Sequence, residues 1–93
     1  MKPRIYADFN KLDENRSAIL VCLGTKIDLD KLGLTLQEGM EVTLYQPDEV
    51  DENGLPDDLE VDAVIAFHKE LKCWVGRFIW EDLSYRSEKG KSK

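Results

Sequence analysis

Histidine occurs once and cysteine twice in this 93-residue chain. That is too few for a spaced structural zinc site or a disulfide-rich scaffold. Cys22 lies inside an apolar run and reads as a small buried hydrophobe. A bridge between Cys22 and Cys73 would require their strands to be neighbours. Long apolar runs are also missing: the longest is Ala18–Leu23, against roughly 20 residues for a membrane span. Lys2 and Arg4 precede Ile5, Tyr6 and Ala7, but Asp8 follows at once, so no leader-type apolar region forms. The expectation is a soluble, cytoplasmic protein with reduced thiols and no membrane partner. There is no glycine-rich phosphate loop. At this length one domain is expected, burying about 60–65% of its unfolded surface, which disfavours a large enclosed active site.

Basic excess is lacking as well. Thirteen Lys and Arg face nineteen Asp and Glu, a net charge of −6. The window Asp48–Asp62 holds eight of those acids and no base. The remaining 78 residues therefore carry eleven acids and thirteen bases, a near-neutral body with one acidic segment. Residues 86–93 carry four bases and one acid, have no apolar period, and read as a disordered tail after a domain at 1–85. A backbone-reading nucleic-acid binder needs a basic stripe, so no nucleic-acid partner is expected.

What is present is strand periodicity. Ile5, Ala7 and Phe9 alternate with polar neighbours across Lys2–Asn10. Leu12–Arg16 reads as a turn, and Ala18–Leu23 as a strand covered on both faces. The next segment predicts a short helix, Lys26–Leu32, with Thr25 and Asp28 as a capping box and Gly33 as its stop. Ile27, Leu29 and Leu32 are expected to dock it. Met40, Val42 and Leu44 define a strand that Gln46-Pro47 ends. Val61, Ala63, Ile65 and Phe67 share one face of a strand over Leu59–His68. A hairpin loop over Lys69–Lys72 leads to the last strand, Cys73–Trp80, and Glu81–Leu83 predicts a single helical turn.

The pattern gives an all-β (mainly) class: five antiparallel strands in a partly open barrel or roll, with one short helix. The stretch Leu36-Gln37-Glu38-Gly39-Met40-Glu41-Val42 resembles the turn-then-strand segment of SH3-like barrels. Through Ile5–Asn10, Gly54–Leu59 and Cys73–Val75 the chain resembles small uncharacterised bacterial proteins. That resemblance brings no activity with it. Glu49–Glu60 resembles the twelve-residue calcium loop of EF-hands. Ligands would come from Glu49, Asp51, Asn53, the Leu55 carbonyl, Asp57 and Glu60, with Gly54 at the sharp turn. Glu49 in place of Asp, Pro56 at the eighth place and strand-like flanks depart from that pattern. Asn53-Gly54 equally marks an ordinary hairpin turn.

No catalytic constellation emerges. A Cys73–His68 pair across the hairpin has no orienting partner, and solvated carboxylates have no cavity to part their pKa values. The aromatic residues Tyr6, Tyr45, Trp74 and Trp80 are the candidate partner surface. Tyr45, beside the acidic segment, suits a basic or Arg-containing protein partner. The reading is a non-catalytic protein- or peptide-interaction module with no cofactor, calcium binding being the alternative. Its oligomeric state stays open between a monomer and an edge-paired dimer.

Overall fold

The structure, a computed structural model, describes residues 2–50 and 56–85. These form β1 (Arg4–Tyr6), β2 (Ala18–Ile19), α1 (Leu23–Leu32), β3 (Glu41–Val50), β4 (Pro56–His68), β5 (Cys73–Arg77), a 3-10 turn (Trp80–Asp82) and β6 (Ser84–Tyr85). Among the described residues the fold is mainly β with one α-helix. No helix among the described residues is long and apolar enough to cross a membrane. The tail at 86–93 and the turn at 51–55 lie outside the described residues.

The long β3–β4 hairpin is the spine. Its register sets Val42 opposite Ala63 and Leu44 opposite Val61, so the alternating apolar residues of both strands share a face. The sheet follows the order β1-β3-β4-β5-β2 and does not close. Beyond the end of β5, the chain makes its 3-10 turn and returns to the same edge of β4 as β6, with Ser84 opposite Glu60.

Two features differ from the expected five antiparallel strands. A sixth short strand is present, and β1 runs parallel to β3, with Ile5 opposite Leu44. A parallel pair needs a crossover of a dozen or more residues. Here β2 and α1 lie in that crossover, an arrangement that strand periodicity does not specify. Pro47 also does not end β3. It lies just past the stretch paired with β1, where no ladder bond to that neighbour is needed, and the register slips between Pro47 and Glu49.

Ile5, Val42, Leu44, Val61 and Ile65 are fully buried at the centre. Each such side chain contributes roughly 1.5–3 kcal/mol on burial. Gly76 of β5 makes room for this packing: a Cβ there would fall 2.7 Å from Leu44 Cδ1.

The helix departs most from expectation. It begins at Leu23, two residues before the proposed cap, and Cys22 precedes it without a side-chain cap bond. Gly33 does end it, at φ +66°, with Gly33 N–H donating to the Asp30 carbonyl and Leu34 N–H to Leu29. Leu29 packs on the core, whereas Ile27 and Leu32 are exposed.

Candidate interaction surface

Helix α1 is seated on β1 by its small and polar residues. A Cβ on Gly24 would come within 2.6 Å of the Tyr6 ring, so glycine lets the first turn lie against that ring. Thr25, 1% exposed, donates its hydroxyl to the Tyr6 carbonyl at 2.5 Å. Asp28 accepts the Tyr6 N–H at 2.9 Å and the Tyr45 hydroxyl at 2.6 Å. Thr25 and Asp28, expected as a capping box, therefore complete the edge of β1. They satisfy a backbone donor and acceptor that a neighbouring strand would otherwise take.

This seat turns apolar residues outward. Val21, Leu23 and Ile27 are 58%, 72% and 42% exposed. A cleft of about 420 Å³ is bounded by Leu20 and the exposed Val21, by Leu29 of α1, by Leu34 and Leu36, and by Trp74 of β5. Lys26 and Asp30 also line it. Among the described residues every fully buried side-chain nitrogen or oxygen has a hydrogen-bond partner.

The four aromatics expected to form one surface are all half-buried and belong to three ring pairs. Tyr6 meets Tyr45 edge-on at 6.0 Å, beneath α1. Trp74 packs against Phe67 at 5.1 Å and forms one wall of the cleft. Trp80 lies against Phe78 at 4.9 Å, takes the Arg16 guanidinium over its face at 4.4 Å, and donates its indole N–H to the Arg16 carbonyl at 3.0 Å.

Tyr45 is already supplied with a cation. The Arg4 guanidinium sits 4.3 Å from the centre of its ring and donates to Asp58 at 2.9 Å and to Glu60 at 2.5 Å. Burial, with the Asp28 hydrogen bond second, pushes the Tyr45 pKa up to about 12. Burial likewise raises Tyr6.

Of the calcium-loop positions, Asp51, Asn53 and Leu55 lie outside the described residues. Glu49 and Asp57 are opposed across the β3–β4 ladder. Glu60 is buried and holds Arg4.

Asp13, Glu14 and His68 form a second group of metal-ligand type, their ligand atoms within 4.8 Å of one another. The hydrogen bonds argue against an ion there. Asp13 Oδ1 accepts the N–H groups of Asn15 and Ser17 at 2.9 and 2.8 Å. His68 Nε2 donates to Glu14 at 2.9–3.0 Å, and Nδ1 accepts the Leu71 N–H at 3.1 Å. A metal on Nε2 would put the ring proton on Nδ1, facing another donor, whereas metal-binding histidines direct that proton at an acceptor. Glu14 raises the His68 pKa through the shared hydrogen bond. Glu14 is itself lowered, by its own backbone N–H first and by His68 second. Both cysteines are free thiols, and burial raises Cys73.

The sequence reading singled out Trp74 as one of four aromatics and did not single out Val21, Leu34 or Leu36, which line the cleft with it. The available signal was the length of Ala18–Leu23, which holds more apolar residues than a two-residue strand can bury. In comparisons with family models, curated proteins and solved structures, the chain finds no match.

Proposed function

We propose that this protein is a non-catalytic interaction module that takes an apolar segment of another protein into the cleft between α1, the 34–36 segment and Trp74. The observation carrying this reading is the cleft itself, lined by Leu20, Val21, Leu29, Leu34, Leu36 and Trp74, in a chain that also exposes Leu23 and Ile27 of α1. Large apolar side chains lining a concave site have a hydrophobic contact to gain on binding. Trp74, rigid and half-buried, is suited to serve as its anchor. The SH3-like reading of the scaffold belongs to the same proposal, supported by the Leu36–Val42 turn that enters β3. The calcium alternative is the weaker reading, because Arg4 engages Glu60, its last ligand.

The test is selection of displayed random peptides on the wild-type protein, followed by amide chemical-shift mapping. Shifts are expected at residues 20–23, 34–36 and 74, and Leu23→Asp should weaken binding at least tenfold. Peptides whose shifts fall elsewhere, or whose binding survives Leu23→Asp, would refute the reading.

A further inference from the structure

Two features of the molecule carry less than His68 does. The acidic end of the β3–β4 hairpin has only its carboxylates to recommend it, and Asp58 and Glu60 are engaged by Arg4. Cys22 borders the cleft, but nothing beside it points to a ligand. His68 carries more, because both of its ring nitrogens are committed, to two different segments.

Nε2 faces Glu14 in the 11–17 segment, and Nδ1 faces the Leu71 N–H in the turn between β4 and β5. Only 9% of the side-chain surface of His68 is exposed, so the ring cannot rotate freely away from either partner. The Leu71 N–H can be accepted only by an Nδ1 lone pair. The neutral ring must therefore carry its proton on Nε2, where Glu14 receives it.

We propose that His68 is a proton-operated latch on the β4–β5 turn. When Nδ1 takes up a proton, two N–H donors confront each other across 3.1 Å, and the Leu71 bond is lost. The Nε2–H···Glu14 contact survives and becomes an ion pair. One protonation thus releases the turn while tightening the 11–17 segment onto the sheet.

The local charges set where this happens. Asp13 and Glu14 on the 11–17 segment and Glu70 in the turn favour the protonated ring. Lys69 and Arg77, which line the same depression, oppose it, as does Lys72 in the turn. Cys73, opposite His68 on β5, is a raised-pKa thiol and brings no charge in the neutral range. The turn adjoins the Phe67–Trp74 pair, and Trp74 is a wall of the cleft, so release occurs next to the proposed docking site. The latch does not depend on that site's function.

The test is a pH titration of the wild-type protein by NMR, following the His68 ring nitrogens and the Leu71 amide together. On the alkaline side the ring should show the Nε2–H tautomer. As His68 protonates, the Leu71 amide should shift with the same midpoint and lose protection from exchange by about tenfold, the size of one ordinary hydrogen bond. Glu14→Gln keeps an acceptor for Nε2 but removes the charge, so both midpoints should move down together. His68→Asn places a non-titrating acceptor near Nδ1, and Leu71 should then stay constant with pH. A Leu71 amide indifferent to His68 protonation, a midpoint that does not follow Glu14→Gln, or an Nδ1–H tautomer would each overturn the proposal.

Discussion

The two sides of β3 are covered by different means. On the β4 side, Val42 and Leu44 meet Val61, Ala63 and Ile65 in an apolar face that excludes water. On the β1 side, α1 is held to the sheet edge chiefly by Gly24, Thr25 and Asp28, through close approach and hydrogen bonds. The first kind of contact consumes apolar residues. The second does not, and it leaves Leu23 and Ile27 on the outside. The exposed apolar face is therefore a consequence of how the helix is seated.

This contrast can be broken at either end. Ile65→Ala empties a fully buried site in the apolar face and should cost about 3 kcal/mol. Urea unfolding should show a lower midpoint with an unchanged m-value. Asp28→Ala removes two hydrogen bonds to one carboxylate and should cost about 2 kcal/mol, with the loss of exchange protection concentrated at Tyr6 and α1.

Alkaline titration sharpens the comparison further. Tyr45 ionises at about 12 in the folded protein against an ordinary value of 10, so folding favours its protonated form. Its contribution is complete below pH 10 and is lost as pH rises toward 12. In Asp28→Ala that tyrosine should titrate nearer 10, as read from phenolate absorbance.

The His68–Glu14 pair gives a two-sided and smaller effect. His68 is raised from 6.5, so its contribution is present below that value and fades as pH climbs through the folded pKa. Glu14 is lowered from 4.5, so its contribution is present above that value and fades as pH falls through its folded pKa. The pair should add most to stability between those two values, and Glu14→Gln should flatten a thermal-stability profile there. Least of all, Leu23→Asp should change stability by no more than about 0.5 kcal/mol while removing peptide capture.

The sequence showed one of these two regions clearly. Val61, Ala63 and Ile65 keep strict alternation because β4 buries that face over residues 61–65, and Gly33 marks its helix end by conformation alone. Thr25 and Asp28 were visible as hydrogen-bonding residues at a helix start. Their partner was not, because capping a helix and completing a strand edge call for the same side chains. The parallel β1–β3 pairing depends on Ile5 meeting Leu44 across 38 residues of intervening chain, which no local period encodes. The cation over the Tyr45 ring comes from Arg4, distant in sequence and adjacent only in the sheet, so no local pattern points to it.

A soluble paramagnetic probe, read through methyl relaxation, tests the seating of α1 most directly. The Leu23 and Ile27 methyl signals should broaden strongly, while those of Thr25 and Leu44 stay sharp. Protected Leu23 and Ile27 methyls alongside a broadened Thr25 methyl would mean that the helix sits the other way round, and the exposed apolar face would not exist.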